Sequence, residues 1–235
     1  EPDPTFDIEG MDAAHKIGIL SSLAFGTPLP PDDFYVEGIS AIKKIDFKYA
    51  KEMGYTVKHL AVCKKNENKI ELRAHPVLIQ KNSYLANLKS VRNGIEVETD
   101  LLGILHIAGS GAGQESTASG VVSDLVHLAN SNINISQSIK KNKSDLIDFL
   151  SLSFQYYFYI KAEDIPGVMA SITSMFAEKK VGIESIFQKE DLKGNMVPIV
   201  LITDPFVESD HKDLVKNILN LDSVNEVRSI RIESD

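Results

Sequence analysis

The fold of the C-terminal part of this chain is decided by residues 154–176, which read FQYYFYIKAEDIPGVMASITSMF. Aromatic and aliphatic residues recur at every second position from Phe154 to Ile160, which predicts a strand with a buried face. After a turn, apolar residues recur at three- and four-residue steps from Val168 to Phe176, which predicts a helix. The stretch therefore predicts a strand, a turn and a helix in direct succession.

The pattern continues to the end of the chain. Two further strands are predicted at Ile183–Gln188 and Val197–Thr203, a helix follows around Leu214–Leu219, and a last strand covers Val227–Ile232. The element order βαββαβ is that of a ferredoxin-like sandwich, in which two helices cover one face of a four-stranded sheet. Because this fold serves many functions, it does not by itself decide the function.

Upstream of this module, residues 130–144 are rich in Asn, Ser, Gln and Lys and have no sustained apolar period. Such a composition is typical of a solvated connection between compact units. We therefore expect one domain at residues 1–130, a linker at residues 131–150 and a second domain at residues 151–235.

The first domain shows a mixture of helices and strands, so the fold class that we expect for the whole chain is α+β with a mixed sheet. The expected helices are Met11–Phe25, Asp46–Met53 and Ser116–Leu128. A hairpin is expected from Thr56–Cys63 and Lys69–Ile79. The segments Tyr84–Val91, Ile95–Thr99 and Leu102–Ala108 are expected to continue its sheet.

Composition limits the possible functions. The chain has 33 acidic and 25 basic side chains and a net charge of −8, which disfavours nucleic acid and anionic membranes as partners. Its single cysteine, Cys63, and the lack of His or Cys pairs at zinc-site spacing indicate a reducing, cytoplasmic setting without a structural metal. The longest apolar stretch, Phe149–Ile160, is too short to span a bilayer. We expect a soluble protein that acts on small molecules.

A group of carboxylates surrounds one lysine near the start of the chain. Glu1, Asp7 and Asp12 precede Lys16. Asp12 and Lys16 are four residues apart and lie on the same helical face. Acidic groups around an amine suit a site for a small zwitterion, because a carboxylate is the natural partner of an α-ammonium group. The alternative is ordinary helix decoration, since an exposed Asp–Lys pair contributes only about 0.3 to 0.5 kcal/mol.

The turn Asp164-Ile-Pro-Gly167 directly after the first strand of the C-terminal module resembles the corresponding turn of ACT domains, which are regulatory modules that bind small amino acids. The resemblance implies a ligand near Asp164, Gly167 and the strand that begins at Ile183. A helix that opens at Val168 also offers free backbone amides to a carboxylate. The alternative is a plain turn, in which proline fixes φ and glycine frees the backbone.

Three separated motifs in the first 130 residues resemble the catalytic part of homoserine dehydrogenase. They are Glu1-Pro-Asp-Pro, Gly10-Met-Asp-Ala-Ala-His-Lys16 and Gly109-Ser-Gly-Ala-Gly113, the last followed by a helix. The resemblance implies an oxidoreductase that reversibly reduces L-aspartate 4-semialdehyde to L-homoserine with NADPH or NADH. Such a reaction belongs to threonine, methionine and isoleucine biosynthesis.

The resemblance also implies residue roles. Lys16 would be the catalytic residue and would protonate the carbonyl oxygen as hydride arrives. Glu1 and Asp12 would hold the substrate, with Asp7 in support. Gly113 would approach the cofactor closely, because it lacks a side chain. Gln114, Ser116 and Gly94 depart from the commonest family pattern in and near this turn.

In this family a further nucleotide-binding domain carries the G-x-G-x-x-G turn, most cofactor contacts, a second lysine and a possible monovalent cation, and none of these is found in the sequence. We therefore expect this chain to be inactive alone. We also expect the helix at residues 116–128 to expose an apolar stripe from Val121 to Leu128, because its usual packing partner belongs to that domain.

Two hypotheses follow. The first is a homoserine dehydrogenase with substrate, dimerisation and ACT domains, forming a homodimer or homotetramer and inhibited by threonine. The second is a non-catalytic amino-acid-binding regulatory protein that kept the same scaffold. The joint presence of Glu1, Asp12, Lys16 and the Gly-Ala-Gly turn favours the enzyme.

Overall fold

A computed structural model describes residues 3–26, 34–130, 145–188 and 195–233. The elements are, in chain order, α1 (Thr5–Ile8), α2 (Met11–Phe25), β1 (Tyr35–Val36), α3 (Lys44–Glu52), β2 (Tyr55–Asn66), β3 (Lys69–Gln80), β4 (Arg92–Thr99), β5 (Gly103–Ser110), α4 (Gln114–Asn130), β6 (Asp145–Leu146), β7 (Ser153–Glu163), α5 (Val168–Glu178), β8 (Ile183–Gln188), β9 (Met196–Thr203), β10 (Phe206–Val207), α6 (Glu208–Leu219) and β11 (Val224–Ile232). Short 3-10 helices occur at Leu85–Asn87 and Phe149–Ser151.

The described residues divide into two compact units. Unit 1 comprises residues 3–26, 34–79, 145–188 and 195–233, and unit 2 comprises residues 80–130. The predicted boundary between residues 130 and 151 stays a prediction. Within the predicted linker, residues 131–144 lie outside the described ranges, whereas Asp145–Leu146 pairs with Lys69–Ile70 in unit 1.

Unit 1 is built on one mixed sheet of nine strands. Its main path runs β1-β3-β11-β7-β9-β8, while β2 and β6 also pair with β3, and β10 pairs with β7. The last strand, β11, lies antiparallel to β7 and parallel to β3, where Arg231 is opposite Val77. The two predicted parts of the chain therefore share a single sheet, joined through β3 and β11.

The predicted βαββαβ order is confirmed for residues 153–232, which we call the C-terminal module. Its sheet order is β11-β7-β9-β8, and the short extra strand β10 pairs with the first two residues of β7. One sheet face packs on α5 and α6, where Ile172, Phe176, Leu214 and Ile218 are fully buried. The periodicity of the sequence therefore placed both helices on the correct face.

The sequence pattern predicted that β7 has one buried face, but the structure shows that its opposite face is buried as well. Tyr157 and Tyr159 point away from α5 and α6, and both are buried. They pack with β9 and β11 residues against Tyr49 and Ala50 of α3. A helix from the first part of the chain thus covers the second face, which explains the nearly continuous aromatic run in β7.

The expected helix from Met11 to Phe25 is confirmed, and Gly26 ends it with φ = 64°. The helix predicted at Asp46–Met53 forms as α3, and the predicted hairpin forms from β2 and β3. These elements therefore agree with the sequence pattern to within a few residues at each end.

Unit 2 corrects the expected continuation of the sheet. Strands β4 and β5 form a separate two-stranded antiparallel sheet. Thr99 closes their turn, since its hydroxyl accepts from the Leu102 amide and donates to the Gly103 carbonyl. The segment predicted as a strand near Tyr84–Val91 contains a 3-10 turn instead. Side-chain bonds from Asn87 to the carbonyls of Lys81 and Ser83 favour this turn.

The helix predicted at residues 116–128 forms as α4 and is exposed on all sides within the described structure. Its apolar side chains are between 54% and 60% exposed; they are Val121, Val122, Leu125, Val126 and Leu128. The predicted exposure of this stripe is confirmed. None of the helices in the described ranges, α4 included, is both long enough and apolar enough to cross a membrane.

Candidate functional site

The candidate substrate helix is α2, and its first turns carry the predicted ion pair. The Lys16 ammonium lies 2.5 Å from Asp12 Oδ2, one helical turn away. The two side chains are 55% and 40% exposed, so the paired ammonium remains open to a ligand. The structure therefore places an accessible, oriented cation next to a carboxylate, as the sequence predicts.

The other predicted substrate residues are placed differently. Glu1 lies outside the described residues. Asp7 lies on the exposed helix α1, one turn before α2, and its carboxylate makes no hydrogen bond or ion pair with another described residue. Its backbone carbonyl accepts from the Gly10 amide at 3.1 Å, so Asp7 belongs to the turn that leads into α2.

The entry into α2 is held by residues 35–40, which we call the support segment. Gly10 has φ = 82°, and a Cβ at this position would lie 2.8 Å from the His59 Nε2 atom and 3.3 Å from the Glu37 carbonyl oxygen. His59 Nε2 in turn donates to the Glu37 carbonyl at 2.8 Å. Only glycine combines this left-handed backbone with so close an approach.

A second glycine of the support segment makes the matching contact from the other side. A Cβ at Gly38 would lie 2.5 Å from the Ile8 carbonyl oxygen and 2.6 Å from the Glu9 Cα atom. The Ile39 amide donates to the Ile8 carbonyl at 2.9 Å, and the Ser40 hydroxyl donates to the Glu9 carboxylate at 2.6 Å. The α1–α2 turn is therefore tied to the support segment over several residues.

A buried charge cluster lies on the far side of the support segment. Arg231 of β11 binds the fully buried Glu208 of α6 through Nε at 2.9 Å and Nη2 at 2.6 Å, and it binds Glu37 through Nη1 at 2.7 Å. The Tyr156 hydroxyl also donates to Glu208, and the Tyr35 hydroxyl donates to Glu37 at 2.5 Å. These five residues form the Arg231 cluster.

The protonation states in the Arg231 cluster follow from burial and charge. Burial raises the pKa of Tyr35 and of Tyr156, so both phenols remain neutral donors. Burial opposes the charge of Arg231, but its hydrogen bonds to Glu208 and the negative charges of Glu208 and Glu37 outweigh it, and its pKa is raised. The guanidinium is therefore a fixed charge with carboxylate partners on two sides.

A second arginine on β11 points to the opposite sheet face. Arg228 binds the fully buried Asp46 of α3 through Nε at 2.9 Å and Nη2 at 3.0 Å, and it also pairs with Glu226. Asp46 accepts from the Lys43 amide at 2.8 Å and so caps α3 as well. Sequence reasoning missed both clusters, although two arginines inside a predicted apolar strand were a signal for buried ionic partners.

The predicted cofactor residue Gly113 lies in unit 2, in the turn before α4. Its φ is 121°, and its carbonyl accepts from the Thr117 amide at 3.0 Å, which starts the helix. Gly111 packs so closely on the Asn93 side chain that a Cβ there would lie 2.1 Å from Nδ2. The glycines thus serve a tight, fixed turn that leaves the backbone at Gly113 accessible.

The predicted amino-acid site of the C-terminal module is only partly assembled. Gly167 begins α5 with φ = 98°, and the Asp164 carboxylate accepts from Gln188 Nε2 at 3.4 Å. Ile183 lies at the other end of β8 from Gln188, opposite Thr203. The structure therefore brings Asp164 to the end of β8 rather than to Ile183.

Comparison with known proteins identifies both parts of the chain. The family model "Homoserine dehydrogenase" matches residues 1–126, and the model "ACT domain" matches residues 156–220. The chain belongs to the homoserine dehydrogenase family. Its relatives include the homoserine dehydrogenases of Pseudomonas aeruginosa, 39% identical over 99% of this chain, and of Neisseria gonorrhoeae, 38% identical over 100% of it. The chain spans 56% of the length of each of these two proteins.

Solved structures of the family agree with this assignment. The crystal structure of a homoserine dehydrogenase from Thiobacillus denitrificans matches with a TM-score of 0.86 and 38% identity, over 99% of this chain and 55% of that one. A homoserine dehydrogenase from S. aureus at pH 7.5 matches with a TM-score of 0.65 and 25% identity, over 100% of this chain and 55% of that one. The mixed α/β architecture with a C-terminal ACT domain is therefore that of the family.

Proposed function

We propose that the complete protein to which this chain belongs reversibly reduces L-aspartate 4-semialdehyde to L-homoserine with a nicotinamide cofactor. Within this chain, the main observation in support of the proposal is the accessible Lys16–Asp12 ion pair at the start of α2. Membership in the homoserine dehydrogenase family supports it. As an enzyme of this kind, the protein would act in threonine, methionine and isoleucine biosynthesis.

In the proposed reaction, Lys16 donates a proton to the carbonyl oxygen of the substrate as hydride reaches the carbonyl carbon. Asp12 orients the ammonium, so that the same group also stabilises the negative charge that develops on the oxygen. We assign Glu1 and Asp12 to the α-ammonium group of the substrate, and Asp7 to their support.

The nicotinamide cofactor, NADP or NAD, would supply the hydride. We propose that Gly113 approaches it through its exposed backbone, and that most other cofactor contacts, with a monovalent cation, belong to a nucleotide-binding domain outside these 235 residues. The exposed apolar stripe of α4 supports this arrangement, because a stripe of this size is normally covered by another domain.

The C-terminal module would regulate the enzyme, since ACT domains bind small amino acids and the family model matches this module. We propose threonine as the effector, with Asp164 and Gly167 near its site and Ile183 at the other end of the adjoining strand β8. We further propose a cytoplasmic homodimer or homotetramer. The exposed face of the β4–β5 sheet, with Ile95, Val97 and Ile107, offers apolar surface for subunit contact.

The decisive experiment is turnover of L-homoserine by the complete protein and its Lys16→Ala variant. We expect the variant to lose roughly 10²- to 10⁴-fold in kcat/KM, the usual contribution of a general acid. His15→Ala is the matched control, because His15 is also exposed and directly precedes Lys16 on the same helix, but its side chain points about 100° away. Equal turnover in all three proteins would contradict the assignment of Lys16.

A second candidate function is that of a non-catalytic amino-acid sensor, favoured by the match of residues 156–220 to an ACT domain. A sensor should gain thermal stability from an amino acid alone, because a ligand that binds the native state stabilises it. Thermal shifts with threonine and homoserine, and no turnover with either nicotinamide cofactor, would support the sensor over the enzyme.

A further inference from the structure

A continuous series of direct contacts within unit 1 connects the C-terminal module to the helix of Lys16. It begins at the fully buried Glu208, at the start of α6, and passes through Arg231 to Glu37. The Glu37 carbonyl then accepts from His59 at 2.8 Å. Both groups lie so close to Gly10, the N-cap of α2, that a Cβ there would be 3.3 Å from the carbonyl oxygen and 2.8 Å from His59 Nε2. The steps as far as His59 are hydrogen bonds, and the last step is this close approach at Gly10.

The module's end of this route is rigid. Arg231 is held by both oxygens of Glu208, and its guanidinium lies 4.9 Å from the Tyr35 ring centre and 5.0 Å from that of Phe149. Tyr35 and Phe149 stack with centres 3.6 Å apart and planes at 4°. A planar cation enclosed in this way has little freedom to move, so it fixes the position of whatever else it binds.

The other partner of Arg231 is the support segment. Glu37 accepts from Arg231 and from Tyr35 through the same carboxylate oxygen, and its backbone amide donates to the Ala74 carbonyl on β3 at 2.8 Å. From Glu37 onward, Gly38 and Ile39 contact the α1–α2 turn directly. The backbone around Glu37 is therefore held between β3 on one side and the α1–α2 turn on the other.

We propose that Glu37 is a positioning residue of the substrate site, and that Arg231 holds it in place from the C-terminal module. Through this contact the module sets where α2 begins and hence where Asp12 and Lys16 stand. The inference rests on the proposed function for its catalytic reading. It adds a named physical connection by which events in the module reach the substrate helix, and it requires no contact between the module and the substrate.

Glu226 of β11, the strand that also carries Arg231, provides a matched control for Glu37. Glu226 pairs with Arg228 and Lys43, as Glu37 pairs with Arg231 and Tyr35. The Glu37 side chain is 35% exposed and that of Glu226 is 26% exposed. The Glu226 carboxylate accepts from Lys43, directly before α3, and from Arg228 of its own strand. Both substitutions therefore remove a carboxylate from an arginine of β11, but only Glu37→Ala removes one from the proposed route.

The test compares Glu37→Ala with Glu226→Ala in the complete protein. We expect Glu37→Ala to raise KM for L-homoserine by about tenfold, because small misplacements of a binding group have large effects. Glu226→Ala should leave KM unchanged, and Glu37→Gln, which keeps one acceptor for Arg231, should give a KM between the two. Equal KM values for Glu37→Ala and Glu226→Ala would overturn the inference.

Hydrogen exchange supplies a readout that does not depend on turnover. The amides of Ala14 and Ile39 donate to the carbonyls of Gly10 and Ile8 in the turn that Glu37 supports. We expect them to exchange faster in Glu37→Ala than in Glu226→Ala. If the unsubstituted protein does not oxidise homoserine, the proposed function is wrong, but the exchange rates still test whether Glu37 positions α2. If the protein oxidises homoserine and the two variants exchange at the same rates, the positioning role of Glu37 is wrong and the proposed function stands.

Discussion

The two units of the chain differ in what they bury. In unit 1, both faces of β7 are covered, and even Glu208, Asp46 and Arg73 lie in the interior with charged or polar partners. In unit 2, the apolar residues of α4 and of the β4–β5 sheet are largely exposed among the described residues. Unit 1 supplies its own packing, whereas the surface of unit 2 is suited to be covered by another domain or subunit.

The buried charges of unit 1 are paired within the unit, and the stability of unit 1 depends on these pairs remaining intact. A buried ion pair gains little net stability, because desolvation offsets most of the attraction. Breaking the pair is different, since it leaves one buried charge without compensation. The comparison therefore predicts that single substitutions affect unit 1 through partners left unpaired, and unit 2 through contacts that exist only in the complete protein.

The largest effect is expected from Arg231→Met. The change leaves the fully buried Glu208 with the Tyr156 hydroxyl but no cation, and it should reduce the free energy of unfolding by about 3 to 5 kcal/mol. Arg92→Met, at an exposed position in unit 2, should stay within about 0.5 kcal/mol of the unsubstituted protein. Urea unfolding measures the stability of both variants. Equal losses of unfolding free energy would contradict the proposed difference between the buried charges of unit 1 and the exposed surface of unit 2.

The next effect concerns the close packing at the entry to α2. Gly10→Ala and Gly26→Ala both place a side chain on a left-handed backbone, with φ of 82° and 64°, at the two ends of the same helix. Only the Gly10 variant also meets His59, so it should cost about 1 to 3 kcal/mol more than the Gly26 variant. Thermal unfolding checks this difference, and identical stabilities would show that the turn can yield.

The pH dependence of unit 1 should reflect His211. Burial lowers its pKa to about 4, from an ordinary value near 6.5, and its Nδ1 atom is buried without a hydrogen-bond partner among the described residues. Because the unfolded state binds the proton first, stability present above pH 6.5 is lost as the pH falls towards 4.

The variant His211→Phe keeps an aromatic ring against Tyr156 and removes this titration. Between pH 4 and 6.5 we expect the slope of the unfolding free energy to fall by up to about 1.4 kcal/mol per pH unit. His75, whose pKa is also lowered by burial and by Arg231 and Arg73, contributes equally to both proteins and cancels. An unchanged slope would contradict the assignment to His211.

The smallest effect is expected from a substitution in α4, and it tests whether the apolar stripe of this helix is covered. Leu125→Val removes one methylene from the exposed stripe of α4, and Leu23→Val does the same on α2, where the side chain is 76% exposed. The cost of a β-branched residue in a helix is common to both. If α4 is covered in the complete protein, Leu125→Val should cost about 0.8 kcal/mol more. Equal stabilities would show that the stripe remains open.

Local patterns in the sequence predicted much of the fold and one ion pair. The alternation in β7, the helical period of α5 and the start and end of α2 are local properties, since neighbouring residues alone determine the side-chain directions. The same is true of Asp12 and Lys16, which a helix brings together at four-residue spacing. The separate β4–β5 sheet was mispredicted, because strand pairing depends on which partner is available and not on the strand's own residues.

By itself, the sequence determined the βαββαβ order of the C-terminal module, the position of Lys16 on an amphipathic helix and the glycine turn before α4. Only the tertiary structure decided that α3 covers the second face of β7, that β11 joins β3, and that Arg231 reaches Glu37, 194 positions away along the chain. The physical reason is that local patterns fix the directions of side chains, whereas the partner of a buried charge is fixed only when distant segments pack together.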